Sequence, residues 1–229
     1  MPGNPIPPDY DERPERFRTA RSIQRRHGAA PDIHAGVARR FLAEGLTPVL
    51  DVGCGDGELS RHLPEGAWVG VDSSPTMLAE APGPVVEADA TALPYPDASF
   101  GSLALLYVLY HLPEPALALA EAHRVLRPGG LLAVSVPSRH DSPELSRVLP
   151  AGALTFDAEL APELIGQRFD ELEIQRWDAQ LLRLPSRADV RDYLIGKGVE
   201  PERAGAAADG VEVPLAVTKR GSLVFARRR

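Results

Sequence analysis

The stretch best suited to chemistry is VLDVGCGDGELSRHL, residues 49–63. It begins as an apolar run fit for a buried strand and then breaks into Gly53, Gly55 and Gly57, with Asp51 just ahead of the first glycine. Glycines after a strand let backbone amides approach a bound nucleotide, because no Cβ stands in the way. Three ligand chemistries compete for such a loop. A phosphate-cradling loop needs four residues between its glycines and then Lys with Ser or Thr, a pattern missing here. A dinucleotide fingerprint needs Gly-x-Gly-x-x-Gly, but Glu58 stands where the third glycine should be and would face the pyrophosphate. Asp51 and Asp56 among alternating glycines instead suit a nucleoside that carries a cationic amino-acid end and no phosphate. Further on, Asp72 is placed to accept hydrogen bonds from ribose hydroxyls, and Asp89 to accept from an exocyclic adenine amine.

The elements around these residues alternate. TPVLDVG, AWVGVD, PVVEAD, the nearly all-apolar FGSLALLYVLY and LLAVSVP read as five strands. Between them lie GELSRHL, a helix capped by Ser74 with Pro75 at its first position, and PEPALALAEAHRVL. Strand alternating with helix predicts a parallel sheet with right-handed crossovers. Ahead of it, residues 13–28 and 32–45 read as helices. Beyond Pro137 the rhythm fails: 138–165 is polar and proline-broken, DELEIQRWDAQ reads as a strand and SRADVRDYLIGKG as a helix. PLAVTKRGSLVFARRR closes the chain as one or two strands around Lys219–Gly221.

A length of 229 residues allows one α/β domain with an appended cap. No apolar run approaches the roughly 18 to 20 residues needed to span a bilayer. The proline-rich, charged start lacks a signal-peptide core, so a cytoplasmic location is expected. The single cysteine, Cys54, rules out an internal disulfide. A net charge of −7 argues against a nucleic-acid partner. Residues 1–40 run against that balance, with eight arginines to five acids. Only two lysines occur, Lys197 and Lys219.

Read together, VLDVGCGDG, GVDSSPTML, ADATALPYPDASFG, LLYVLYHLPEP and EAHRVLRPGGLLAVSVP resemble, in order and spacing, a class I S-adenosylmethionine-dependent methyltransferase of the group acting mostly on small molecules. The resemblance runs from Val49 to about Pro137. It implies a seven-stranded, mostly parallel, Rossmann-like α/β sheet with helices on both faces. It divides the chain into an N-terminal helical lid (1–45), a cofactor-binding core (46–137) and an acceptor-side cap with C-terminal strands (138–229). S-adenosylmethionine is the implied cofactor. Asp51, Gly53 and Gly55 match the loop around its methionine portion, and Asp72 matches the ribose acid. Ser73 and Met77 match neighbours of the ribose and adenine, Asp89 and Ala90 the adenine pair. Leu105, Leu106 and Tyr107 match the segment under the methionine moiety, facing the acceptor. Tyr10 matches the aromatic of a lid, with Arg18 or Arg25 as partners for the methionine carboxylate. The chain departs from the family at Gly101, where relatives carry an acid, and at Tyr110–His111, where relatives often show two histidines.

Methyl transfer from a sulfonium is an in-line displacement in which the protein aligns the partners and excludes water. A general base is needed only for an acceptor that must lose its proton. His111, past the fourth strand, and His140, past the fifth, are the candidate catalytic residues, with Asp141 and Tyr110 beside them. No metal site is expected, since the remaining histidines lack ligand spacing. The expected partner is a small-molecule acceptor methylated at O or N, as in natural-product biosynthesis, with a monomeric or homodimeric protein and no membrane. Two other readings stay open: an RNA methyltransferase docking through the arginine-rich arm, and a non-catalytic cofactor-binding protein.

Overall fold

The computed structural model describes residues 9–150 and 154–229; the first eight residues of the expected lid and 151–153 of the expected cap lie outside it. Two helices come first, α1 (Pro14–His27) and α2 (Ile33–Ala43). Asp32 starts α2 by accepting a hydrogen bond from the Ala35 amide. The core then alternates β1 (Val49–Val52), β2 (Trp68–Asp72), α3 (Pro75–Leu78), β3 (Val85–Glu87), β4 (Phe100–Leu106), α4 (Pro115–Val125) and β5 (Leu126–Pro137). After it come α5 (Ala161–Gly166), β6 (Phe169–Leu184), α6 (Arg187–Gly196), α7 (Pro201–Asp209) and β7 (Leu215–Arg228).

The strands form one seven-stranded sheet in the order β3-β2-β1-β4-β5-β7-β6. Pairs within β1 to β5 are parallel, and β7 runs antiparallel to both β5 and β6. Every residue of β1 and of β4 is buried, as both faces of a central parallel strand require. One face packs on α2 through Val37 and Phe41, the other on α4 and α5 through Leu119, Ala122 and Ile165. A third apolar cluster joins Ile23 of α1 to Val190, Tyr193 and Leu194 of α6 and to the far ends of β6 and β7.

The C-terminal segment is one continuous strand. Gly221 makes no turn: it pairs with Trp177 across to β6, and a Cβ there would come within 2.4 Å of the Trp177 indole. Its glycine serves side-chain packing, which reads as a chain break in a single sequence. Two further helices, α5 and α7, stand where the sequence pattern predicts none. No helix among the described residues is long and apolar enough to cross a membrane.

Candidate functional site

The strand order reverses between β1 and β4, and the carboxyl ends of the strands at such a switch point form the crevice in which sheets of this kind usually hold their ligands. The glycine loop leaves β1 at this point. Gly53 has φ +71°, and a Cβ on it would lie 2.3 Å from Cγ2 of Val108, so the loop packs flush against the chain leaving β4. The amides of Gly53 and Cys54 donate to the Val71 carbonyl at 2.7 and 3.0 Å, which ties the loop to β2.

Asp72 ends β2 and takes a hydrogen bond from the Gly55 amide at 2.8 Å and one from the Ser74 amide at 3.0 Å. Both carboxylate oxygens are thus fixed, and each keeps a lone pair for a ligand hydroxyl. Burial pushes the Asp72 carboxyl above its ordinary value. Asp51 is more extreme. It is 4% exposed, takes the Trp68 indole hydrogen bond at 3.1 Å, and is pushed up to about 7 by burial, with Asp72 and Asp56 adding repulsion. Asp51 and Asp72, two acids crowded beside one glycine loop, are unfavourable alone and fit a cation.

Met77 is buried, with Cε 3.5 Å from where a Gly55 Cβ would stand, and Ser73 is exposed on the rim. The Asp89 carboxylate is exposed and accepts from the Thr91 amide and hydroxyl, both at 2.7 Å, with half-buried Ala90 beside it. Leu106 ends β4 on the crevice floor, 8% exposed. Tyr107 follows in the left-handed region at φ +63°, a strained setting for an aromatic residue. Cys54 is buried and its thiol is raised by burial, so it packs as a small apolar group.

The N-terminal arm straps across the crevice at several points. The Tyr10 phenol lies 2.9 Å from Nε2 of His111, and the two rings meet edge to face. Burial raises the Tyr10 phenol, so it stays protonated and shares a hydrogen bond with the imidazole. Asp11 accepts from the Ser74 hydroxyl at 2.6 Å and from the Thr76 amide at 3.2 Å. Arg21 pairs with Asp56 and Glu58 of the glycine loop. These contacts tie the arm to the glycine loop, to the start of α3 and to the turn after β4. Asp11 and Arg21 carried no local sequence signal, because their partners are distant in the chain.

The expectation that Arg18 or Arg25 meets the cofactor carboxylate is corrected: Arg18 pairs with Glu80 and Arg25 with Glu58. Arg16 is the arm's buried arginine, paired with Asp9 and acting electrostatically on Tyr10 and Tyr110. His140 is exposed; its amide donates to Ser138 Oγ and its carbonyl accepts from Arg220. Its neighbour Asp141 turns away to an ion pair with Lys219. Among the described residues, no three His, Cys, Asp or Glu side chains gather as a metal site.

The glycine loop, the paired acids and the strand order define a nucleoside-binding α/β fold, and the comparisons give its family. Residues 50–134 match the methyltransferase domain family. The chain is 36% identical over 160 residues to a trans-aconitate 2-methyltransferase of Deinococcus radiodurans, covering 63% of this chain and 55% of that relative. It is 32% identical over 217 residues to a trans-aconitate 2-methyltransferase of Azoarcus sp., covering 83% and 85%. The matched segment is thus about half the length of the first relative. Among solved structures, the [4+2]-cyclase SpnF superposes over 100% of this chain and 99% of its own with a TM-score of 0.64 at 23% identity, a likeness of fold. The chain belongs to the S-adenosylmethionine-dependent methyltransferases. Its cofactor is S-adenosylmethionine.

Proposed function

We propose that this chain transfers a methyl group from S-adenosylmethionine to an O or N atom of a small molecule held beyond the end of β4. The observation that carries the reading is the pair of acids Asp51 and Asp72 beside the glycine loop, which has no ion-pair partner among the described residues and is matched in charge by a bound sulfonium and ammonium. When bound, the cofactor supplies an already activated methyl group. Asp72, pre-set by the Gly55 and Ser74 amides, holds the ribose hydroxyls. Gly53 and Gly55 admit the methionine portion to the loop backbone, with Asp51 behind it. Ser73, Met77, Asp89 and Ala90 border the nucleoside end, and Leu106 forms the floor beneath the reacting groups.

Tyr10 closes the crevice, and His111 orients it through the 2.9 Å contact. Its Nε2 being engaged by the arm, His111 acts first as a positioning group; a base for the acceptor proton would need that contact to exchange. His140, on the exposed rim of the acceptor side, is the second candidate for that proton. Small-molecule methylation agrees with the trans-aconitate activity named for the relatives. An RNA acceptor is disfavoured by charge: Arg13, Arg16, Arg18, Arg21, Arg25 and Arg40 all pair with acids of the chain itself. That leaves little positive surface for a phosphate backbone.

The reading is tested by incubating the chain with methyl-labelled cofactor and a panel of small acids, phenols and amines. Label appearing in a small-molecule product together with demethylated cofactor supports it. Cofactor binding without label transfer to any acceptor favours the non-catalytic alternative.

A further inference from the structure

One face of α1 carries more positive charge than its ion pairs use. Arg18, Arg21, Arg25 and Arg26 stand at i, i+3, i+7 and i+8, on one side of the helix. Facing them are Asp56 of the glycine loop and Glu80, just past α3. A groove of about 390 Å³, open to solvent, is lined by these four arginines and two acids.

Both acids of the groove are already taken. Arg18 pairs with Glu80, and Arg21 with Asp56. Arg21 and Arg25 also reach Glu58, and Arg61 meets the same carboxylate at 3.0 Å and Asp56 at 3.9 Å. All three contacts to Glu58 fall on one oxygen, Oε2. Burial would raise the Glu58 carboxyl, yet Arg21, Arg25 and Arg61 hold it below its ordinary value. Arg26 has no carboxylate within 4.0 Å among the described residues. Its Nε faces the Ser22 carbonyl at 3.4 Å, and Asp189, which feels its field, is engaged by His27 at 3.1 Å. Counting the groove's lining and its ion-pair partners, five guanidiniums meet three carboxylates, an excess of two positive charges.

The excess has a chemical match. The Arg18 and Arg25 side chains are 51% and 56% exposed, so each guanidinium keeps N–H groups for a ligand. Guanidinium forks match phosphate oxygens in pairs, and one dianion supplies the acceptors that a single Glu58 oxygen cannot. A bare phosphate would leave most of the groove empty, since its volume is in the range of small-molecule sites. Phe17 borders the same groove, with the Arg21 guanidinium 5.5 Å from its ring centre, and gives an apolar wall for an organic portion. The excess is also local. A nucleic-acid backbone needs a run of such contacts, and Arg13 and Arg16 of the same arm are paired elsewhere.

We propose that this groove binds a small phosphomonoester, its phosphate dianion held by Arg18, Arg25 and Arg26 and its organic portion against Phe17. The dianion balances the two surplus charges, which neither a neutral alcohol nor the chain's own acids do. The inference stands apart from the methyltransferase reading and holds or fails without it.

The test titrates phenyl phosphate, glycerol phosphate and inorganic phosphate calorimetrically into the whole chain at fixed ionic strength, beside phenol and glycerol. The groove predicts saturable, one-to-one binding of at least one ester, tighter than inorganic phosphate, and no binding of its neutral parent. Arg26→Met should weaken that ester about tenfold with the unfolding midpoint unchanged. Arg26→Lys, which keeps the charge but not the fork, should fall between the two. Arg39→Met removes an exposed arginine of α2 outside the groove and should leave the affinity as it was. Saturable binding of no ester, equal binding by wild type and Arg26→Met, or an equal loss in Arg39→Met would overturn the site. Inorganic phosphate binding as tightly as both esters would overturn the organic portion.

Discussion

The Tyr10 phenol shares a hydrogen bond with Nε2 of His111 across 2.9 Å, joining the N-terminal arm to the turn after β4 over 101 positions of chain. Tyr10→Phe and His111→Ala should therefore each raise the cofactor Kd by about threefold to tenfold, the worth of one hydrogen bond. The double variant should be no worse than the worse single, because both remove the same contact. Calorimetry on the four proteins of this cycle reads the coupling. Additive losses would mean that the two residues act separately.

Asp51 gives a pH signature. Its carboxyl titrates at about 7 in the folded chain, whereas an aspartate in an unfolded chain titrates at about 4. The folded state binds this proton more tightly. The stability it contributes is thus complete below about pH 4 and is lost as pH rises to about 7. Urea unfolding should show wild type losing more stability than Asp51→Asn between pH 5 and 8, by on the order of a few kcal/mol. Cofactor affinity runs the other way in wild type, since a bound cation favours the ionised carboxylate and binding tightens toward pH 7. Equal pH slopes of stability in the two proteins would contradict the assignment.

The glycine loop is a packing device as well as a ligand cradle. Gly53→Ala places a Cβ against Val108 at a positive φ, and should cost about 2–4 kcal/mol of stability. Val108→Ala added to it should recover part of that loss by clearing the clash, while the backbone strain remains. Thermal unfolding of the single and double variants decides it; no recovery would mean that the contact is not the cause.

What the sequence made legible follows from range. β1 to β5 are built on apolar runs set off by turns and short helices, so their pattern is local; the Ser74 cap and its Pro75 appear as read. The same locality placed Asp51, Gly53, Gly55 and Asp72 around one loop. The sequence left one strand or two open around Gly221, since its glycine answers to Trp177 on another strand; the fold has one. Helix α7, PERAGAAAD, offered alanine and small residues with no strong apolar stripe. The ion pairs of Arg18, Arg21 and Arg25 depend on side chains brought together only by the fold.

The central claim is that the crevice between β1 and β4 holds S-adenosylmethionine by the acid that ends β2. Calorimetric titration of wild type and Asp72→Ala with S-adenosylmethionine and S-adenosylhomocysteine tests it most directly. The account predicts one equivalent bound by wild type and affinity weaker by about a hundredfold in Asp72→Ala. No binding by wild type, or equal binding by the two proteins, would contradict it.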